Sequence, residues 1–381
     1  MKVLMVAGSM HVGGLENQLM HFIRNVNRDE VQVDFTSDKP DAFYRDEIKE
    51  LGGNFIILSN KSRNHPIKYC RELYKIMKEG KYDIVHSHEL FHSGMTLFIA
   101  KLAGVPCRFA HAHSCREGNE EKEHYSLARR IYHVVMRLSI NTFSTTQIAC
   151  STWAAKFLFG KKVLKKDSFS LIYNSVDTSI FLNDYGKICE GEYTEKDGWK
   201  NVINVARICG LKNHTLLVEI ARELKDRKKK IRIICVGDGD EDIKEALNQK
   251  ILEYNVEDYI LFVGVRSDVD KLLKKSSAFI LPSRYEGMPL VMIEAQAVGL
   301  PCLTADTYSK EVDFEIGMVK WLSLSQNVAT WADELEKLVL LGRAPKEKVE
   351  KAINTKGFDS KIFTNKIYDL YKKDYELRGN I

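Results

Sequence analysis

Two carboxylates, Glu286 and Glu294, stand eight positions apart in the chain, with the turn Gly287-Met-Pro289 between them. An apolar run follows the turn and stops at Gly299-Leu-Pro301. A helix that begins near Pro289 would present free backbone N–H groups at its start, where an anion is stabilised. Glu294 would then lie on the second turn of the helix, and Glu286 in the loop before it. This spacing suits a ligand with hydroxyl groups on both sides of a diphosphate, as in a nucleotide-sugar.

Two basic residues, Arg207 and Lys212, follow a predicted strand that ends at Ala206. Ligands of doubly wound α/β sheets bind at the carboxyl ends of the strands, so this loop lies where a ligand is expected. A planar guanidinium and a point-charge ammonium together suit the oxygens of a diphosphate. The pair alone is weak evidence because surface cations are common, but it lies in the same half of the chain as Glu286.

Two glycine pairs also follow predicted strands. Gly13 and Gly14 lie in a loop with nearly the spacing of a P-loop, but Leu15 and Glu16 replace its Lys and its Ser or Thr. The dinucleotide pattern Gly-x-Gly-x-x-Gly is missing as well. This pair either brings backbone amides close to a phosphate or forms a tight structural turn. For the second pair, in Gly237-Asp-Gly239, we favour the structural interpretation.

Histidines cluster after two neighbouring predicted strands. They are His86, His88, His92, His111 and His113. A histidine-rich set can bind zinc, although no carboxylate or cysteine completes a familiar ligand spacing here. His113 has three interpretations: a hydrogen bond to a sugar, proton transfer near neutral pH, or a structural role.

Short apolar runs alternate with amphipathic stretches, which predicts parallel strands joined by crossover helices. The first series of predicted strands is Val3–Ala7, Val31–Thr36, Asn54–Leu58, Ile84–Ser87, Cys107–His111, Gln147–Ser151 and Ser168–Tyr173. The second series is Val202–Ala206, Ile231–Val236, Tyr259–Val263, Ala278–Leu281 and Cys302–Ala305. Residues 174–199 between them are polar and poorly periodic. Because 381 residues exceed one ordinary core, we expect two doubly wound α/β domains with a cleft between them.

The composition limits the class of protein. With 44% hydrophobic and 29% charged residues, the chain is expected to be soluble and globular. No apolar run approaches the roughly 18 residues of a membrane helix, and the first residues are too short an apolar run for a signal peptide. Eight cysteines without a Cys-x-x-Cys pair favour a protein of the reducing cytoplasm.

Positive charge is concentrated in the first part of the chain. Residues 1–170 hold 25 Lys and Arg against 18 Asp and Glu, whereas the rest holds 32 against 34. This excess suits an anionic membrane or a phosphate-bearing acceptor, or it consists of ordinary solvated side chains. The predicted helix Tyr125–Leu138 is basic and amphipathic. It either rests on an anionic bilayer or, as we favour, packs on the core with its basic side in water.

Together these residues resemble the retaining nucleotide-sugar glycosyltransferases of family 4, which share the two-domain GT-B fold. The likeness is carried by Pro282-Ser-Arg-Tyr-Glu-Gly-Met-Pro-Leu-Val-Met-Ile-Glu-Ala295 with Gly299-Leu-Pro301 after it. Asn174-Ser-Val-Asp177 and Asp83-Ile-Val-His-Ser-His88 are also similar to stretches of the family. The loop Asp306-Thr-Tyr-Ser-Lys-Glu311 lacks the Gly-Gly that members often carry, and it resembles bacterial capsule and exopolysaccharide members.

The resemblance implies two Rossmann-like doubly wound α/β domains that face each other across a cleft. The acceptor-side domain would span residues 1–173, the linker 174–199, the nucleotide-sugar domain 200–360, and a helix in 361–381 would cross back to the first domain. The implied donor-binding residues are Gly13, Gly14, Arg207, Lys212, Val265, Glu286, Gly287, Met288, Pro289, Leu290, Val291 and Glu294. The implied catalytic residues are His113, Arg207, Lys212 and Glu286.

The implied reaction is transfer of a sugar, with retention of configuration, from a nucleoside diphosphate sugar to a hydroxyl acceptor. A UDP-sugar is the expected donor. Glu294 would bind the ribose hydroxyls and Glu286 would lie at the donor sugar. Arg207, Lys212 and helix amides would stabilise the leaving diphosphate, so no metal or other cofactor is expected.

The expected partners are the donor and a glycan or lipid-linked acceptor, with no nucleic acid. Peripheral contact with an anionic membrane would place the protein at the cytoplasmic face of the cell membrane. Two alternatives stay open: a sugar-nucleotide epimerase of the same fold, and a nucleotide-sugar-binding protein without catalysis.

Overall fold

The computed structural model describes residues 1–8, 10, 13–58, 65–115, 125–183, 185, 193, 195 and 197–378. Contacts divide the chain into two units, one of Met1–Ser175 with Ser360–Ile381 and the other of Val176–Asp359. The sequence-based linker of residues 174–199 therefore begins at the end of the first unit and otherwise belongs to the second. It contains a short helix, Thr178–Leu182, which is α7 in the numbering below.

The described part of the first unit contains a seven-stranded parallel sheet with the strand order β3-β2-β1-β4-β5-β6-β7. The strands are β1 Lys2–Val6, β2 Gln32–Ser37, β3 Phe55–Ile57, β4 Ile84–Ser87, β5 Cys107–Ala112, β6 Thr146–Ala149 and β7 Phe169–Leu171. The helices are α1 Gly14–Asn25, α2 Arg45–Glu50, α3 Pro66–Gly80, α4 Ser93–Leu102, α5 Leu127–Phe143, α6 Thr152–Leu158 and the last helix, α14, Ser360–Arg378. Short 3-10 helices span Leu90–His92 and Lys161–Lys165.

The described part of the second unit contains a six-stranded parallel sheet with the order β10-β9-β8-β11-β12-β13. The strands are β8 Lys200–Val205, β9 Ile231–Val236, β10 Ile260–Phe262, β11 Ala278–Leu281, β12 Cys302–Ala305 and β13 Val319–Leu322. Besides α7, the helices are α8 His214–Asp226, α9 Glu241–Tyr254, α10 Val269–Lys275, α11 Leu290–Ala297, α12 Val328–Leu341 and α13 Lys346–Lys356. Short 3-10 helices span Gly210–Lys212 and Lys310–Val312.

Both sheets are doubly wound, as predicted. Their central strands are rich in apolar residues because helices cover both faces of a parallel sheet, and every residue of β11 and β12 is buried. The strand order reverses between β1 and β4 in the first sheet and between β8 and β11 in the second. Loops diverge from such a switch point and leave a crevice at the carboxyl ends of the strands, where ligands bind. The topology therefore singles out the loops after β1, β4, β8 and β11.

The last helix, α14, is part of the first unit. Tyr371 on this helix is fully buried, and its ring packs edge-on against Phe22 of α1 and Phe109 of β5, with ring centroids 5.6 Å and 4.9 Å away. The Thr364 hydroxyl bonds to the carbonyl oxygen of Ser360 and, at 3.3 Å, to that of His21 on α1. The end of the chain thus completes the hydrophobic core of the unit in which the chain starts.

Two differences between the structure and the sequence-based elements exceed a shift of one or two residues at an element's end. The edge strand β13, Val319–Leu322, was missing from the prediction because its residues are only partly buried and lack a clean apolar run. Helix α5 starts at Leu127 and continues to Phe143, five residues past the predicted end. Within the described residues, none of the helices has the apolar length that a bilayer crossing requires.

Gly237 and Gly239 have the structural role that we favoured. They follow β9 and lie against the loop after β8, where the Ile208 amide donates to the Asp238 carbonyl and the Asp240 amide to the Ile208 carbonyl, at 3.0 and 2.9 Å. A Cβ atom on either glycine would collide with a backbone carbonyl of Ala206 or Ile208. The absence of side chains therefore lets the two loops pair along their backbones.

Gly239→Ala is expected to lower the free energy of unfolding by roughly 1–3 kcal/mol, because the rigid backbone of Ile208 must move to admit a methyl group. Gly210→Ala is the matched control, since a Cβ there has no neighbour within 4 Å. Denaturant unfolding of both variants measures the difference. Equal stabilities for the two variants would contradict the close backbone pairing.

Candidate functional site

The switch point of the second unit brings two loops together. One loop leaves β8 at Val205 and the other leaves β11 at Leu281, and these two strands are neighbours in the sheet. The loops touch through their backbones, because the amide of Arg284 donates to the carbonyl of Leu211 at 2.8 Å. Residues that are more than 70 positions apart in sequence thus form one site.

An ion pair between Lys212 and Glu286 lies at the crossing of these loops. Lys212 Nζ donates to Glu286 Oε1 at 2.5 Å, and only 24% and 11% of the two side chains are exposed. Next to Lys212, Asn213 has φ 56°, in the left-handed region that Asn tolerates, and turns the chain into α8. The structure therefore brings two of the predicted site residues together and holds a cation in place on an ordered loop.

Arg207 lies on the same loop but points to a different partner. Its Nη2 is 2.8 Å from Asp240 Oδ1, and 70% of its side chain is exposed. Such an exposed pair is worth little in free energy, so a stronger anion can draw the guanidinium away. Asp240 had no signal in the sequence, because it reaches Arg207 only through the backbone pairing around Gly239.

Helix α11 begins at Leu290, which confirms the start that the sequence predicted near Pro289. Pro289 is the N-cap residue, and no described side chain caps this helix end. The geometry of an α-helix leaves its first amides without intrahelical acceptors and gives this end a partial positive charge. Gly287, Met288, Pro289 and Leu290 are buried and Val291 is partly buried, so protein surrounds this helix end closely.

Glu294 lies on the second turn of α11. Part of its side chain reaches the surface, yet protein surrounds the carboxyl group closely, and this burial raises the pKa of Glu294 to about 7, with Asp270 adding to the rise. No hydrogen bond to this carboxyl group comes from the described residues. Donors that reach it would stabilise the ionised form, so the group is suited to accept hydrogen bonds from a ligand.

Val265, predicted to be a donor-binding residue, follows β10 at the edge of the sheet. Its side chain is 69% exposed, and the preceding Gly264 has φ 70°. The Gly264 carbonyl accepts from the Gly237 amide at 2.8 Å, so this loop adjoins the loop after β9. Val265 is therefore an accessible apolar surface on the carboxyl side of the sheet.

His113 follows β5 in the first unit and is part of a buried group of four histidines. His113 Nε2 lies 2.9 Å from Nδ1 of His88, and Nδ1 of His86 lies 2.6 Å from the hydroxyl of Tyr371. Burial lowers the pKa of His113 to about 3 and holds the pKa of His86, His88 and His111 well below the usual value. The rings are therefore neutral at physiological pH, which favours hydrogen bonding by His113 over proton transfer near neutral pH.

The positions of these histidine nitrogens can be compared with the geometry of a zinc site. One nitrogen each from His86, His88 and His111 lies within 4.8 Å of the others, and no described carboxylate or thiolate joins them. Zinc–nitrogen bonds of about 2.0–2.1 Å would require these atoms to draw closer. The charge of a buried dication would also have no anionic ligand in the group to offset it. His92, the fifth histidine, instead packs against Tyr69.

Gly13 and Gly14 mark the start of α1. Gly13 is the N-cap residue with extended backbone at φ −169°, and Gly14 is the first helical residue, so Gly13 is not in the left-handed region. Among the hydrogen bonds of the described residues, none is a side-chain cap of this helix end. The Glu16 carboxylate folds close to Gly13, where a Cβ atom would collide with it. Ser9, His11 and Val12 of this loop lie outside the described residues.

Two family models match the chain. The model "Glycosyl transferases group 1" matches residues 190–355, and "Glycosyltransferase Family 4" matches residues 12–180. The chain is similar to "Putative glycosyltransferase EpsF" of Bacillus subtilis (strain 168), with 30% identity over 383 residues that cover 100% of this chain and 98% of that protein.

Two further proteins are similar. One is the UDP-Gal:alpha-D-GlcNAc-diphosphoundecaprenol alpha-1,3-galactosyltransferase of Escherichia coli, 28% identical over 286 residues that cover 72% of this chain and 68% of that protein. The other is the crystal structure of Anabaena Alr3699/HepE in complex with UDP-glucose. It has a TM-score of 0.75 and 18% identity, and the match covers 98% of this chain and 100% of that one, so it supports the fold alone.

Glu294→Gln is expected to change the pH dependence of stability. The pKa of Glu294 is raised from 4.5 in the unfolded chain to about 7, so its protonated form stabilises the fold, and this contribution is lost as the pH rises through 7. The free energy of unfolding of the Gln variant, relative to that of the native protein, should therefore rise by about 1–3 kcal/mol between pH 5 and pH 8. Urea unfolding at each pH measures it. Glu245→Gln, at an exposed position on α9, is the control, and parallel curves for native protein and Glu294→Gln would refute a buried carboxyl group.

Proposed function

The chain belongs to the glycosyltransferases of group 1 and family 4, and on that premise we propose that it transfers a sugar from a UDP-sugar to a hydroxyl group of a lipid-linked saccharide. The crystal structure of HepE contains UDP-glucose, and the relative from Escherichia coli is named for UDP-Gal and a diphosphoundecaprenol-linked acceptor. The product would be part of a bacterial surface polysaccharide. The enzyme would work at the cytoplasmic face of the cell membrane.

The observation that supports this proposal most directly is the arrangement of charge at the carboxyl ends of β8 and β11. Lys212 lies there on the loop after β8, and the first turn of α11, which no described side chain caps, begins on the neighbouring loop. Cleavage of a nucleoside diphosphate sugar places negative charge on the departing diphosphate. A fixed ammonium and aligned amides stabilise that charge without reorganising during the reaction.

The two carboxylates lie at different polar parts of the donor. Glu294 accepts hydrogen bonds from the ribose hydroxyls, because its carboxyl group has none from the described residues and lies one helical turn behind the anion site. Glu286, paired with Lys212, lies at the donor sugar. Lys212 carries three N–H donors, so it can keep Glu286 and still bind a phosphate oxygen.

The proposed reaction retains the anomeric configuration and needs no metal. The bond between the anomeric carbon and the β-phosphate oxygen breaks, and the acceptor oxygen bonds to the same face of that carbon. The proton of the acceptor hydroxyl passes to an oxygen of the leaving diphosphate, which departs as the nucleoside diphosphate. Lys212, Arg207 and the α11 amides take the place of Mg²⁺ in neutralising that leaving group.

Residues of the first unit enter the proposal through the resemblance. His113, held neutral and oriented by His88, would donate or accept a hydrogen bond at the donor sugar. The amides at Gly13 and Gly14, at the start of α1, would approach the diphosphate.

Lys212→Ala and Arg207→Ala are each expected to slow UDP release from a UDP-sugar in the presence of acceptor by about a hundredfold or more, because each removes a cation from the leaving group. Arg222→Ala is the matched control, since that exposed arginine pairs with Asp226 along α8. Rates should be unchanged by EDTA in all four proteins.

The same assay separates the parts of the proposal. Rates near native for both Lys212→Ala and Arg207→Ala would overturn the proposed anion site. Loss of activity in EDTA, restored by Mg²⁺, would overturn the metal-independent reaction alone. Nuclear magnetic resonance of the product reports whether the anomeric configuration is retained.

The affinity for UDP is expected to depend on pH through Glu294. Ribose hydroxyls bind the ionised carboxylate, and with a pKa of about 7 in the free protein, lowering the pH from 8 to 6 should weaken binding by about tenfold. Glu294→Gln should remove this part of the pH dependence of UDP binding. The terminal phosphate of UDP also titrates near pH 6, but equally for both proteins, so calorimetry of the two side by side isolates Glu294. Identical pH profiles would contradict ribose binding by this group.

A further inference from the structure

Helix α5, Leu127–Phe143, turns an apolar stripe towards solvent. Its large apolar side chains recur at the spacing of one helix face and are all exposed, with Leu127 and Leu138 at 74% and 61%. The stripe consists of Leu127, Ile131, Val134, Val135 and Leu138. An apolar stripe of this width on a surface helix normally faces the core. Here it is directed away from the first unit.

The opposite side of α5 attaches the helix to its unit. His133 and Ile140 are the buried residues of the helix, and the His133 ring stacks on Phe91 with centroids 4.1 Å apart. The Ser139 hydroxyl donates to the Gly94 carbonyl of α4 at 2.7 Å, and Arg137 Nη2 donates to the Phe157 carbonyl of α6 at 2.8 Å. The helix is thus fixed by its more polar side. The interpretation that we favoured from the sequence, with the apolar face on the core, is therefore wrong.

The charged side chains of the segment that carries α5, α6 and the residues after α6 are all basic. Residues 125–166 contain eight Lys and Arg and no Asp or Glu. Four of the lysines, Lys161, Lys162, Lys165 and Lys166, are exposed in the segment that follows α6. Lys166 Nζ lies 3.2 Å from the Asn141 amide oxygen, which places this basic segment beside α5.

Two aromatic side chains of the helices α4 and α6 are exposed, and one of them adjoins α5. Phe98 of α4 is exposed, and its ring lies 5.1 Å from that of Phe143 at the end of α5. Trp153 of α6 is also exposed. We name the α5 stripe together with residues 161–166 the α5 surface.

We propose that the α5 surface docks on an anionic phospholipid bilayer, with α5 lying in the plane of the membrane. Apolar side chains would enter the boundary between headgroups and acyl chains, and the lysines of residues 161–166 would meet anionic headgroups. A protein partner would need acidic groups to match the basic rim, whereas a bilayer supplies both an apolar layer and negative charge. The proposal deepens the proposed function and rests on it for its purpose, since a lipid-linked acceptor has to be met at a membrane.

The apolar part of the surface is tested with vesicles of phosphatidylcholine containing about 30% phosphatidylglycerol. The full-length triple variant Ile131→Ser/Val134→Ser/Leu138→Ser should bind at least tenfold more weakly than the native protein, because less apolar surface enters the bilayer. Leu252→Ser/Leu340→Ser, at exposed positions on helices of the second unit, is the matched control and should bind as the native protein does. Equal binding by all three proteins would overturn the proposal.

The basic part is tested on the same vesicles across salt concentrations. Lys162→Gln/Lys165→Gln should bind about tenfold or more weakly at low ionic strength, and the difference should shrink as salt screens the charges. Lys348→Gln/Lys351→Gln makes the same change of charge at exposed positions on α13 and should have no effect. Binding that is independent of both salt and anionic lipid would refute the electrostatic part.

Two further readouts separate this proposal from its alternatives. Analytical ultracentrifugation of the native protein and the Ser triple variant shows whether a second copy covers the stripe, and a native dimer that the substitutions dissociate would overturn membrane docking. UDP release with a water-soluble acceptor should be unchanged in the Ser triple variant. Vesicle binding without transfer to any acceptor would reject the proposed function but not the docking surface. Transfer without vesicle binding would reject the docking surface but not the proposed function.

Discussion

The contact between the loops after β8 and β11 is the constraint on which the candidate site depends. The backbone bond from Arg284 to Leu211 joins them, and the ion pair of Lys212 with Glu286 forms beside it. Two charges held this close in a partly buried place restrain each other's rotamers. The proposed anion site would therefore be arranged before any ligand arrives, which is the condition under which a fixed cation stabilises a transition state most.

The two units accommodate their buried ionisable side chains in different ways. In the second unit, no described residue donates a hydrogen bond to the Glu294 carboxyl group, and its burial raises its pKa to about 7. In the first unit, burial lowers the pKa values of the four histidines so that they stay neutral, and hydrogen bonds join His88 to His113 and His86 to Tyr371. The second unit thus presents charge at its switch point, whereas the first presents neutral hydrogen-bonding groups.

The first unit carries a second kind of surface away from these histidines. Helix α5 is attached through His133, Arg137 and Ser139, and this leaves its apolar side chains without cover. Exposure of this apolar surface to water is unfavourable, and burial of the surface in an apolar phase would remove that cost. Together with the lysines after α6, it would hold the first unit at the level of a membrane-bound acceptor, while the second unit keeps its anion site for a water-soluble donor.

The sequence by itself determined the two doubly wound sheets, because buried parallel strands must be apolar runs and crossover helices must be amphipathic. It also located the start of α11, because Pro and Gly determine where the chain turns. The start of the helix in turn places Glu294 on its second turn. Tertiary structure alone decided which charges pair. Arg207 meets Asp240 because two glycines admit a backbone contact, and Lys212 meets Glu286 because their strands are neighbours. It also decided which face of α5 is buried, since periodicity shows that a helix has an apolar face but not which way that face points.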